Sequence, residues 1–233
     1  HMSPAKLAPI ITDEADFILH DSRVLQNDYL LALAARQLSL DEFRRSQEQF
    51  YFAVLHFARP MAALLARLPH PRNRIDILHN LVEEHGDFHA AKFHEATFRS
   101  FLESIGANGD PLENVEVEPA VDAFNRTLDG ICFAGDVNEA VACMGIIEYA
   151  FADISAAIGN AVSDNGWVRK DELVHYSLHA EIDKRHAREF FDVVEDEWNA
   201  NPASVRRGMR LGAHVFRRLY DDLFAACTAC SER

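Results

Sequence analysis

Apolar residues recur at three- and four-residue spacing through nearly every segment of this 233-residue chain, and no stretch alternates as a half-buried strand does. That spacing gathers apolar side chains on one face only if the segment is α-helical, so the expected fold class is all-α. Two capping signals fix helix starts. Ser39-Leu-Asp-Glu42 is a capping box, and Asp136-Val-Asn-Glu139 repeats its logic. One or two helices are expected between Thr12 and Gln37. The helix after Ser39 runs through EQFYFAVLHFARPMAALLARL to Pro69 and Pro71, with Pro60 as a kink. A further helix extends from Asn73 to Gly106, Pro119 opens a short one, and Asp136 opens a long apolar one to Val162. After the turn Ser163–Trp167 and a polar helix, the last begins beyond Asn201-Pro202 and ends near Ala229. About seven helices with short connections make a bundle, read as a single domain over residues 3–233, with His1-Met2 as a tag remnant.

Against this apolar frame, certain polar residues stand out. In KDELVHYSLHAEIDKRHAREFFD, from Lys170 to Asp192, His179, Asp183 and His186 project within roughly 60° of one another on a helix. Alone, the pattern also suits a solvated stripe with an ion pair worth ~0.3 kcal/mol. Glu148 is more demanding, because it sits inside AVACMGIIEYAFADISAAIGNAV. An unpaired buried carboxylate costs several kcal/mol, so a cation must face it. No Lys or Arg occurs between Arg126 and Arg169, which leaves a metal or an arginine from another helix. A third cluster is Glu83-Glu84-His85-Gly86, followed by His89 and His94. In an unbroken helix Glu83 and His94 align to about 20° and Glu84 is about 80° away, whereas a break at Gly86 lets Glu84 swing in. His85 and His89 read as surface or packing residues.

Glu84, His94, Glu148, His179, Asp183 and His186 together offer three carboxylates and three imidazoles. Such mixed shells suit iron or manganese, and a bridging carboxylate holds two ions about 3.5–4 Å apart. A structural zinc site favours thiolates, and the cysteines here are Cys132, Cys143 and the lone Cys227-x-x-Cys230 near the end. Ferritin-like bundles need Glu-x-x-His on two helices, and the sequence has that form only at Glu172-x-x-His175.

With these residues the chain resembles the haem-oxygenase-like di-iron oxidases and oxygenases, relatives of pyrroloquinoline quinone synthase and thiaminase II. The family's His-x3-Asp-x2-His is matched by His179, Asp183 and His186, and its preceding Glu by Glu148. Its Glu, Gly and aromatic-rich His segment is matched by Glu84, Gly86, His94, Phe98, Phe101 and Gly106. The resemblance spans about residues 20–220. It implies a haem-oxygenase-like helical bundle holding two Fe(II) per chain, the second labile, with O2 as co-substrate. The implied reactions are N-oxygenation, C–C cleavage or desaturation of a small amino-acid-like or acyl substrate. Some members take an extra carboxylate from the preceding helix; FAVLHFARP has none, and His56 is the one substitute there. Tyr149, His175 and Tyr176, next to the ligands in sequence, are candidates to support them.

A net charge of −14 and a pI near 5.2 argue against a nucleic-acid partner. No apolar run approaches the roughly 20 residues that span a bilayer, and no signal peptide is visible, so a cytoplasmic protein with no membrane partner is expected. A homodimer is compatible with such a bundle. Two further readings compete. One is a metal-independent, thiaminase II-like or quinone-synthase-like enzyme with Cys132 or Cys143 as a nucleophile. The other is a binding or regulatory protein without turnover.

Overall fold

The computed structural model describes residues 10–229 as α1 (Ile11–Ser22), α2 (Asp28–Ala34), α3 (Leu40–Arg67), α4 (Pro71–Glu84), α5 (His94–Ser104), α6 (Pro111–Asn114), α7 (Pro119–Ala134), α8 (Val137–Asp164), α9 (Val174–Val193), α10 (Glu195–Ala200) and α11 (Pro202–Ala229). No strand occurs among the described residues, as the apolar spacing requires. His1-Met2 and Cys230 lie outside the described residues. Eleven α-helices replace the expected seven because α2, α6 and α10 have seven residues or fewer and carry little periodicity. The helix expected from Asn73 to Gly106 is two, and the short helix at Pro119 extends to sixteen residues. Helix α3 continues on both sides of Pro60, and its capping box is complete, with Ser39 and Glu42 each bonded to the other's amide.

Helix α8 organises the packing. It lies along α9 on one side and α11 on another, with α3 and α7 completing the enclosure. By length and composition it could cross a membrane, since its most apolar 18 residues have a mean hydropathy of 1.6. This corrects the expectation that no run reaches that length. The stretch is 78% buried inside the protein, and a helix that is apolar all round belongs in a core. Glu148 lies on its buried side, 3% exposed.

The α8–α11 seam is tight enough to need a residue without a side chain. A Cβ built on Gly208 of α11 would meet the carbonyl oxygen of Glu139 at 2.1 Å. Backbone cannot yield as a side-chain tip can, so Gly208→Ala should separate the helices and cost about 1–3 kcal/mol. The expected outcome is a lower urea midpoint with an unchanged slope. An unchanged midpoint would show that the seam is looser than described.

Candidate metal centre

Helix α4 delivers Glu84 and then stops. His85 ends the helix, Gly86 takes φ +58°, and Asp87 and Phe88 follow in the left-handed region at φ 52° and 69°. Gly86 is required here, since a Cβ on it would lie 2.4 Å from the carbonyl carbon of Lys92. The chain then turns through Ala90–Lys92 and starts α5 at His94. The break sends the two acids to different surroundings. Glu84 is buried and lines an internal cavity with His94, whose Nδ1 lies 3.0 Å from Glu84 Oε1 but outside hydrogen-bonding geometry. Glu83 instead faces outward, accepting from Arg185 at 2.8 Å and from Nε2 of His186.

The other donors come from α8 and α9. Glu148, Asp183 and His186 each present a donor atom within 4.8 Å of the other two, and all three side chains are buried. His186 Nδ1 stands 3.7 Å from both Glu148 Oε2 and Asp183 Oδ1. Bonds of about 2.0–2.2 Å, as at zinc, put two ligands of one ion about 3–4 Å apart. The spacing therefore fits a cation and is too long for a hydrogen bond. His179 donates from Nδ1 to Asp183 at 2.8 Å, leaving its Nε2 buried and unpartnered, as are His94 Nδ1 and His186 Nδ1. Asn80, buried on α4, donates to Glu148 Oε1 at 3.3 Å. No arginine among the described residues fills the gap.

Protons balance the charge of the metal-free cluster. Burial, then the charge of Glu148, pushes the Asp183 carboxyl well above its usual range. For Glu148 burial acts upward too, but the hydrogen bond and charge of His186 outweigh it and hold the carboxyl below its ordinary value. Burial disfavours charge on His186, yet Glu148, Glu83 and Asp183 raise it to about 10. His94 is raised against its burial mainly by Glu84. Burial and His94 lower His179 to about 4, which keeps it neutral. Two buried carboxyls beside each other share a proton because both cannot ionise in a poor solvent.

Beyond the six residues nominated as ligands, the supporting set changes. His175 lines the cavity, but His56 turns to Asp129 on α7 at 2.7 Å. Tyr149 donates to Asp16 at 2.5 Å on the outer face, under Lys184. Tyr176 donates to Gln47 within a separate buried network that includes Tyr29. Neither cysteine candidate lines the cavity; burial pushes the Cys132 thiol up to about 12 and the Cys143 thiol higher still. Asn80 and Glu83 are the supports that sequence reasoning missed or left open. Asn80 lies one turn before Glu84 on the same face, a signal available from the spacing.

A family model described as iron-containing redox enzyme matches residues 44–217. The chain belongs to that family. This iron-containing redox enzyme is 24% identical to a 4-aminobenzoate synthase of Nitrosomonas europaea over 193 residues, 78% of this chain and 77% of that protein. It is 21% identical to a 4-aminobenzoate synthase of Chlamydia muridarum over 184 residues, 78% of this chain and 77% of the relative. Among solved structures it resembles a domain of unknown function with a heme oxygenase-like fold from Shewanella denitrificans. That match has a TM-score of 0.73 at 17% identity and covers 94% of this chain and 91% of the other. A TenA homologue from P. horikoshii matches with a TM-score of 0.74 at 11% identity, covering 93% and 99%. The haem-oxygenase-like fold and an iron-dependent oxidoreductase are therefore as the family resemblance implied.

Asp183→Asn keeps the shape, accepts from His179 Nδ1 and donates to Glu148, so it removes the cost of holding a proton on a buried acid. A raised folded-state pKa means that stability falls as pH rises above the unfolded value, toward the folded one. Metal-free Asp183→Asn protein should melt a few degrees above metal-free wild type at pH 8, with the gap shrinking toward pH 5. A variant that melts lower at pH 8 would contradict this electrostatic picture.

Proposed function

We propose that this family member is a non-haem di-iron oxidase or oxygenase with Glu84, His94, Glu148, His179, Asp183 and His186 as ligands and O2 as co-substrate. The observation that carries the reading is the buried cluster of Glu148, Asp183 and His186, with imidazole nitrogens unpartnered around it and no fixed cation. Bound there, two Fe(II) ions supply the electrons that O2 needs to react with a closed-shell organic molecule. The chain's residues prepare the place. Glu83 fixes the tautomer and plane of His186, and Asn80 orients Glu148.

The rest of the cavity describes the substrate. Phe50, Val54, Phe57, Phe124, Ile147 and Phe216 are among its walls, and no Lys or Arg lines it among the described residues. A zwitterionic amino acid finds no cationic partner for its carboxylate on these walls. An aryl or acyl body fits them better, with its reacting end at the polar pole. The name 4-aminobenzoate synthase carried by the relatives supports a small aromatic molecule as substrate or product here. N-oxygenation, C–C cleavage and desaturation are the reaction classes that such a centre serves. The metal-free thiaminase-like reading lacks a cysteine at the cavity.

The test is anaerobic Fe(II) loading, a metal count, and oxygen uptake after air is admitted. About two irons per chain are expected, with O2 consumed. His179→Ala and His186→Ala should each lose at least half of the iron, while Cys132→Ser and Cys143→Ser keep all of it. Fewer than about one iron per chain and no oxygen uptake in the wild type would overturn the reading.

A further inference from the structure

His175 is a buried imidazole, 1% exposed, one turn before His179 on α9, and the six-ligand reading gives it no task. Its Nδ1 lies 3.2 Å from Thr97 Oγ1, and the Thr97 hydroxyl itself donates to the His94 carbonyl at 3.0 Å. A hydroxyl has one proton to give, and Thr97 gives it to His94. In the tautomer consistent with that bond, His175 Nδ1 carries the hydrogen and donates to Thr97. Its Nε2 keeps a bare lone pair, which is buried and without a partner on a ring that lines the cavity.

Two more unpartnered nitrogens, His94 Nδ1 and His179 Nε2, share the neighbourhood. The His175 and His179 rings are 4.4 Å apart by centroid, His94 and His179 4.6 Å, and His94 and His175 6.3 Å. All three rings stand at the polar end of the cavity, His94 Nδ1 beside Glu84 Oε1 at 3.0 Å, and an ion held by His179 would give the bare His175 Nε2 a partner. Two histidines four apart on a helix, with facing nitrogens, have the spacing at which imidazoles chelate one ion. On α9 that pair is His175 and His179. Thr97 and the His94 carbonyl hold the His175 ring in the tautomer that a ligand needs.

We propose that His175 is a seventh donor to the metal centre. With Glu84, His94 and His179 it makes an imidazole-rich half, opposite the carboxylate-rich half of Glu148, Asp183 and His186. The proposal rests on the two-metal reading. It makes the two ions unequal, and it ties His175 to one of them.

Anaerobic titration with Co(II), followed by its visible absorption, tests this without turnover. Wild-type protein should bind about two Co(II) with distinct affinities. His175→Ala should weaken one of the two by about 10–100-fold, shift the spectrum of that ion alone, and regain both with added imidazole. Thr97→Val should weaken the same ion by a smaller factor. His175→Gln, which keeps volume and polarity, serves as the folded control by circular dichroism and should also weaken that ion. If His175→Ala and His175→Gln bind both ions with wild-type affinity and spectrum, His175 is no ligand and the two-metal reading stands. If wild-type protein binds no Co(II), both fall together.

Discussion

Glu84, Glu148 and Asp183 lie inside the bundle at 8%, 3% and 0% exposure, and no Lys or Arg forms an ion pair with any of them among the described residues. Ionised acids in such a place cost several kcal/mol each unless cations accompany them. The metal-free molecule meets the cost with protons. Asp183 holds one, and His186 and His94 are pushed toward charge by the acids beside them. Protons standing in for cations leave nitrogens unpartnered at His94, His179 and His186, a residual cost that divalent ions remove.

The fold provides that place through two departures from regular packing. Helix α8 is packed closely enough that a Cβ on Gly208 would strike its backbone, and Glu148 on the same helix is left 3% exposed. Between α4 and α5 the chain breaks at Gly86 and accepts two left-handed non-glycine residues, Asp87 and Phe88. Each costs on the order of 1–2 kcal/mol. The break sets Glu84 against His94, whereas a straight helix would set Glu83 there. Glu83 is thereby freed to hold His186 from outside. Consecutive acids therefore meet different imidazoles, Glu84 beside His94 and Glu83 against His186.

Much of this was legible before any coordinates. The phase relation among His179, Asp183 and His186 is set by helical geometry alone, and all three fall on the buried face. Glu148 announced itself by its apolar neighbours. Glu83 and Glu84 could not be separated, because a helical wheel assumes a continuous helix. The break depends on the approach of Gly86 to Lys92, a contact between turns that spacing does not encode. Tyr149 faces Asp16 for a simple reason: the residue after Glu148 on a helix points about 100° away from it. His56 is on the helix expected to face the centre, yet its own phase turns it to Asp129. Asn80 and Thr97 went unseen because a small polar side chain in an amphipathic helix looks alike whether it meets water or a ligand. Similarly, the walls of the cavity come from α3, α7, α8 and α11, and which phenylalanines converge depends on helix crossings absent from any one segment.

The central claim is that acids and imidazoles from α4, α5, α8 and α9 meet in the interior to hold iron. Anomalous diffraction at the iron edge, from crystals grown anaerobically with Fe(II), tests it most directly. The account predicts two peaks inside the bundle, one bounded by Glu148, Asp183 and His186 and the other beside Glu84, His94 and His179. A cavity without anomalous density in crystals whose solution protein carries iron, or peaks confined to the acidic surface, would contradict it.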